Sequence, residues 1–140
     1  MATLSSLEYI SPSALASLLR SPASASSTAI IDVRDSDHIG GHIRSSQHVP
    51  VQTHDVAMPE LVRTLADKDT IVFHCALSQQ RGPASALRYL RERERMGGAE
   101  GQGKQRIVVL RGGFSAWQEV YGEDEQLTEA YQKDLWQYGY

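Results

Sequence analysis

The single cysteine of this 140-residue chain, Cys75, is separated from Arg81 by five residues. The segment 74–83 reads His-Cys-Ala-Leu-Ser-Gln-Gln-Arg-Gly-Pro and follows the apolar, strand-like residues 70–73. A proline two residues after Arg81 is typical of the first turn of a helix, where its missing N–H is not needed. The spacing therefore predicts a strand that ends just before Cys75, then a short loop, then the N-terminus of a helix.

These residue types suit the chemistry of an oxyanion. The backbone N–H groups of a short loop can surround one point in front of a helix N-terminus, which favours a bound anion. A cysteine in that position ionises readily and becomes a nucleophile, and Arg81 adds a planar fork for two oxygens. The alternative, that Cys75 is only a small buried hydrophobic residue, explains neither Arg81 nor the helix start. The predicted catalytic residues are Cys75 and Arg81, and the predicted substrate-binding residues are Ala76, Leu77, Ser78, Gln79, Gln80 and Arg81.

Such a site predicts transfer of a phosphoryl group to the Cys75 sulfur. The loop N–H groups and Arg81 would stabilise the charge on the equatorial oxygens of the transferred group. His74 immediately precedes the cysteine, and its side chain is expected to point away from Cys75 if the strand continues. We assign it a supporting role.

Other polar residues are candidates for function. Asp32 and Arg34 could act in catalysis or could support the loop through hydrogen bonds and an ion pair. His38 and His42 would share a face if they were helical and could then bind a metal. The glycine pair between them breaks a helix, and no ligand pattern completes a site, so we predict no metal.

Short apolar runs alternate with amphipathic segments along the chain. This order predicts an α/β domain with a mostly parallel sheet, in which ligands bind beyond the carboxyl ends of the strands. Residues 21–27 and 97–105 are interpreted as loops, the second of them flexible. The predicted strands are 28–33, 70–74 and 106–110, with a strand end at 48–50, and the predicted helices are one capped by Ser11, then 58–65, 83–95, one after Gly112 and Gly113, and 127–138.

Length and composition limit the classes of protein. A chain of 140 residues suggests one domain, residues 1–140, and a formal net charge of −3 argues against nucleic acid as the main partner. No apolar stretch reaches the length of a membrane span. A lone cysteine fits a reducing compartment, and we expect a cytoplasmic and/or nuclear location. The Ser- and Ala-rich N-terminus raises the alternative of a transit peptide, but the capped helix explains it better.

Three motifs in order resemble the rhodanese fold. Residues 31–50 resemble its first motif, residues 74–83 resemble the Cys-x5-Arg loop of the cell-division-cycle dual-specificity phosphatases, and residues 108–117 resemble its last strand, Gly-Gly turn and tryptophan helix. The likeness covers roughly residues 9–121. It implies a rhodanese-like α/β domain whose central sheet has helices on both faces, and it implies phosphatase chemistry. It also favours the supporting role for Asp32 and Arg34, which in the rhodanese pattern hold the loop.

The same resemblance leaves more than one activity open. Five residues between cysteine and arginine resemble the phosphatases and the small plant and fungal arsenate reductases, whereas sulfurtransferases of the fold have four. The cell-cycle enzymes have acidic residues where this chain has Ala76 and Gln80, so a general acid in the loop is not expected. The primary hypothesis is a tyrosine or dual-specificity phosphatase without a cofactor, acting on a phosphorylated protein or a small phosphate. The alternatives are an arsenate reductase supplied by glutathione and glutaredoxin, a thiosulfate sulfurtransferase, and an inactive module that binds phosphorylated partners.

Overall fold

A parallel sheet of five strands forms the centre of the computed structural model, which describes residues 3, 6–97 and 105–138. Its strands are β1 (Glu8–Ile10), β2 (Thr28–Asp32), β4 (Gln47–His48), β5 (Thr70–His74) and β6 (Arg106–Leu110), and their spatial order is β1-β6-β5-β2-β4. The short strands β3 (His42–Ile43) and β7 (Thr128–Glu129) pair antiparallel as a separate ribbon. The predicted parallel α/β architecture is confirmed.

The helices follow the strands and cover both faces of the sheet. They are α1 (Pro12–Arg20), α2 (Pro22–Ser26), α3 (His54–Thr64), α4 (Arg81–Arg95), α5 (Gly113–Tyr121) and α6 (Lys133–Tyr138), with a 3-10 turn over Val51–Thr53. The α1 cap is as predicted, since the Ser11 side chain accepts the N–H of Ala14 at 3.1 Å. In the part of the chain that the structure describes, no helix combines the length and apolarity needed to cross a lipid bilayer.

Alternating side chains of the strands divide the core in two. Ile31, Phe73 and Val109 pack on one face of the sheet with residues of α3 and α4. Their neighbours on the other face, Ile30 and Val72 among them, pack with residues of α1 and α5. Successive side chains of a strand point to opposite faces of the sheet, and helices cover both faces, so every residue of β2 and β5 is buried. The sequence therefore shows continuous apolar runs instead of alternation.

Two secondary-structure predictions are wrong. Residues 21–27 are not a loop throughout, because α2 forms over Pro22–Ser26 with its proline in the first turn. The helix predicted over 127–138 begins only at Lys133. Leu127 is buried and Thr128 belongs to β7. The first part of the predicted helical stripe is therefore a buried residue followed by a strand. Most of the predicted flexible loop at 97–105 lies outside the described residues.

The pairing of β2 with β5 determines where the site forms. The two strands are parallel and in register, with Asp32 beside His74. Both strands therefore end at the same edge of the sheet, and the loop that follows β2 lies next to the loop that begins with Cys75. Segments more than 40 residues apart in the chain are brought together there, as the Arg81–Asp37 contact shows.

Candidate active site

The loop after β5 closes around the sulfur of Cys75. Its Sγ accepts the backbone N–H of Ser78 at 3.2 Å and that of Gly82 at 3.3 Å. Ser78 adopts a left-handed backbone with φ of 53°, which bends the loop back toward the sulfur. The first turn of α4 supplies the second donor, so the helix N-terminus points at the sulfur as the sequence predicts.

A cavity of about 350 Å³ opens above this loop. The sulfur lies at its base, because Cys75 is only 3% exposed and still lines the cavity. Ser78 is the one predicted loop residue that does not line it; its side chain is buried, and its hydroxyl lies 3.4 Å from the Cys75 backbone nitrogen. The lining residues are Cys75, Ala76, Leu77, Gln79, Gln80 and Arg81.

Arg81 is held by a carboxylate that sequence reasoning did not identify. Its Nη1 and Nη2 donate to the two carboxylate oxygens of Asp37 at 2.8 and 2.6 Å. The hydrogen bonds that Arg81 donates to Asp37 lower the pKa of the Asp37 carboxyl to about 2, and the same bonds raise the pKa of Arg81. The sequence carries no local signal for this pair, because it depends on the β2–β5 pairing.

Asp32 and Arg34 form a buried ion pair outside the cavity. Arg34 Nε and Nη2 reach the carboxylate at 3.0 and 2.8 Å, and neither side chain is exposed. Arg34 also donates to the carbonyls of Ile39 and Gly41 at 3.3 and 2.9 Å, which fastens the loop after β2. The contacts agree with the structural role predicted for the pair.

His74 turns away from the cavity, as expected. Its Nδ1 lies 3.0 Å from the Cys75 carbonyl, and its Nε2 lies 3.7 Å from Asp32. Burial lowers the pKa of His74, so the ring is neutral near pH 7. Burial alone would raise the pKa of Asp32, yet its pKa is lowered; because His74 is neutral, we attribute the lowering to Arg34.

The Gly-Gly turn after β6 supports the loop from beneath. The N–H groups of Phe114 and Ser115 donate to the carbonyls of Cys75 and Ala76 at 3.0 and 2.9 Å. A Cβ atom on Gly113 would lie 2.5 Å from the Ala76 oxygen, so only glycine fits here. The motif noted in the sequence therefore anchors the loop at the first turn of α5.

His38 and His42 are not on a helix. His42 is in β3, and the His38 ring stacks between those of His42 and His48, with centroid distances of 5.7 and 3.7 Å. Within residues 6–97 and 105–138, no three His, Cys, Asp or Glu side chains converge as metal ligands would.

Comparisons with known proteins agree with this geometry. The model of the rhodanese-like domain family matches residues 11–120. The chain is 42% identical over 117 residues to the CDC25-like phosphatase YCH1 of Saccharomyces cerevisiae, covering 76% of each protein. It is 40% identical over 117 residues to arsenate reductase 2.1 of Oryza sativa subsp. japonica, covering 81% of this chain and 68% of that protein. A solved structure of a yeast protein tyrosine phosphatase of the rhodanese family superposes with a TM-score of 0.81 at 34% identity, covering 97% and 99% of the two chains.

Proposed function

The chain belongs to the rhodanese-like domain family, and on that premise we propose that it is a cysteine-dependent phosphatase of the tyrosine or dual-specificity type. One observation carries the proposal: two backbone N–H groups point at the Cys75 sulfur on the floor of a cavity that Arg81 also lines. Backbone N–H donors directed at the sulfur fix its position for attack on a substrate in the cavity. The relative and the solved structure named as phosphatases support the same activity.

The reaction follows from the positions of these groups. The Cys75 thiolate attacks the phosphorus of a phosphate monoester, forming an S–P bond as the P–O bond to the leaving group breaks. The loop N–H groups and Arg81 stabilise the charge on the three equatorial oxygens. Water then attacks the cysteinyl-phosphate, releasing inorganic phosphate and regenerating the thiolate. The loop has no carboxylate, so the leaving group takes its proton from outside the loop or from a substrate monoanion.

Arsenate reduction is the second candidate. Arsenate has the charge and tetrahedral shape of phosphate, so the same cavity suits it, and a 40% identical relative is named an arsenate reductase. Reduction of As(V) to As(III) needs two electrons, which two external thiols supply by forming a disulfide. Because Cys75 is the only cysteine, we propose glutathione with glutaredoxin as the source.

One set of assays tests these activities together. Purified wild type and Cys75→Ser are compared for hydrolysis of p-nitrophenyl phosphate, for arsenate-dependent oxidation of glutathione in the presence of glutaredoxin, and for thiocyanate formation from thiosulfate and cyanide. We expect aryl-phosphate turnover in the wild type and none in a folded Cys75→Ser variant. Equal turnover in both proteins would exclude Cys75 as the nucleophile. Thiocyanate formation alone would indicate a sulfurtransferase, and no turnover of any kind would indicate a binding module.

We further propose a cellular location and a class of physiological substrate. A cysteine that lines a cavity and has no second cysteine in the chain to pair with is kept reduced most easily in a reducing compartment, which supports a cytoplasmic and/or nuclear protein. A phosphorylated protein is the proposed physiological substrate, with small phosphate esters as surrogates. Hydrolysis of phosphotyrosine and phosphothreonine peptides of identical sequence would measure the preference, and fluorescence microscopy of the tagged full chain would show the location.

A further inference from the structure

The contact between Asp37 and Arg81 joins the loop after β2 to the first residue of α4, which are 44 residues apart. Asp37 occupies both terminal nitrogens of the guanidinium, at 2.8 and 2.6 Å. Among the described residues, none accepts a hydrogen bond from Nε of Arg81. Because a guanidinium has five N–H donors in one plane, the side edge formed by Nε and one Nη still has donors for two oxygens of an anion.

Asp37 is itself held in place. Its Oδ1 accepts the backbone N–H of Asp35 at 3.0 Å. The loop that carries it is fastened at Ile39 and Gly41 by the buried Arg34. Hydrogen bonds therefore fix the loop after β2 both at Ile39 and Gly41 and at Asp37, the residue that binds the guanidinium beside the cavity.

Without such a contact, Arg81 would be poorly ordered. Its side chain is 34% exposed, and a free arginine side chain loses rotamer entropy when it becomes fixed. A guanidinium that is oriented before the substrate arrives avoids that cost at binding and in the transition state. The low pKa of Asp37, about 2, keeps the pair charged throughout the neutral range.

We propose that Asp37 is a positioning residue, which grips the end of the Arg81 guanidinium and leaves its side edge for the oxyanion above Cys75. The inference rests on the proposed function and deepens it. It differs from two other roles for the same contact, in which Asp37 only offsets the charge of Arg81 or competes with the substrate for it.

Asp37→Asn is the test variant, and Asp35→Asn is its matched control. Both substitutions remove one negative charge from the loop after β2, but only the first breaks the bidentate pair. We expect kcat/KM for p-nitrophenyl phosphate to be about tenfold lower in Asp37→Asn than in Asp35→Asn. In an Arg81→Lys background, which lacks the planar fork, Asp37→Asn should cause no further loss, because Asp37 acts through Arg81.

Binding of inorganic phosphate, measured by titration calorimetry, gives a second readout that does not need turnover. We expect Asp37→Asn to bind phosphate several-fold more weakly than Asp35→Asn, with thermal unfolding confirming that both are folded. Equal phosphate binding and equal kcat/KM in the two variants would mean that Asp37 acts only through its charge, and would overturn the inference. Tighter binding by Asp37→Asn would make Asp37 a competitor and also overturn it. Absence of turnover in the wild type would refute the proposed function alone, while absence of phosphate binding would refute the inference.

Discussion

Arg34 and Asp32 form a fully buried ion pair, with Arg34 Nη2 2.8 Å from the carboxylate and neither side chain reaching solvent. The ring of Phe114 lies against the guanidinium, 4.6 Å from its central carbon to the ring centroid. The pair thus links the end of β2, the loop that carries Asp37 and the first turn of α5, which supports Cys75 from below. The buried charge pair thus contacts two of the segments that hold the active-site loop, although neither of its residues lines the cavity.

Asp32→Asn should therefore destabilise the protein strongly. The substitution keeps the shape of the side chain but leaves the Arg34 charge buried and uncompensated, which typically costs about 3–5 kcal/mol. Urea unfolding followed by circular dichroism at pH 7 measures the change in the free energy of unfolding. Glu8→Gln is the control, because the Glu8–Arg106 pair is exposed and should contribute less than about 1 kcal/mol. Similar losses in the two variants would contradict this account of the buried pair.

Gly113→Ala should reduce both stability and turnover. Gly113 has φ of 60°, and a Cβ there would lie 2.5 Å from the Ala76 oxygen, so the loop that carries the cysteine must move. We expect a loss of about 2–4 kcal/mol from backbone strain and overlap together, with a fall in kcat for an aryl phosphate.

Gly97→Ala provides the comparison for that prediction. Gly97 has φ of 72°, but a Cβ atom there would meet no other atom of the described residues within 4 Å, so only the strain of about 1 kcal/mol remains. The difference between the two variants in urea unfolding isolates the overlap with the loop. An unchanged kcat in Gly113→Ala would show that this turn does not position Cys75.

Ser78→Ala should weaken the closure of the loop without unfolding the domain. The Ser78 hydroxyl lies 3.4 Å from the Cys75 backbone nitrogen, and its own N–H points at the sulfur. Removing the hydroxyl leaves the buried N–H of Cys75 without its acceptor, at a cost of about 1–3 kcal/mol, and should lower kcat several-fold. Measurement of kcat and the thermal midpoint together checks this. Ser26→Ala is the control. The Ser26 hydroxyl donates to an exposed carbonyl in α2, so its removal should leave kcat unchanged.

The sequence is sufficient to predict four of the five strands of the sheet and the cysteine loop, because these features are encoded locally, whereas β1 (Glu8–Ile10) is not among the predicted strands. Buried parallel strands require continuous apolar runs, and the start of α4 is marked by the proline at position 83, so Cys75 was correctly placed at a strand end. The Arg81–Asp37 pair was not predictable in this way. It depends on the neighbouring positions of β2 and β5, and two charged residues 44 positions apart carry no periodic signal.

The error at the C-terminus has a similar physical origin. Thr128 accepts the indole N–H of Trp117 at 2.9 Å and pairs through β7 with β3, so long-range contacts override the local helical spacing. Ala130, with φ of 56°, then redirects the chain before α6. The sequence shows which residues of this segment are apolar and therefore pack against the domain. Their spacing alone does not determine whether they do so from a helix or from a strand.

Folding stability should fall as the pH is lowered from 7 toward 5, because buried histidines resist protonation. Burial lowers the pKa of His54, which is 1% exposed, from its ordinary value of 6.5, and it lowers the pKa of His74 and His38 as well. The unfolded chain therefore takes up protons near pH 6.5 that the folded chain does not, and stability is lost until the pH falls below the folded pKa values. Each such group contributes up to about 1.4 kcal/mol per pH unit.

His54→Gln should consequently flatten the dependence of the unfolding free energy on pH between about 7 and 5, measured by urea unfolding at a series of pH values. A slope identical to that of the wild type would mean that His54 takes up its proton in the folded protein as readily as in the unfolded one.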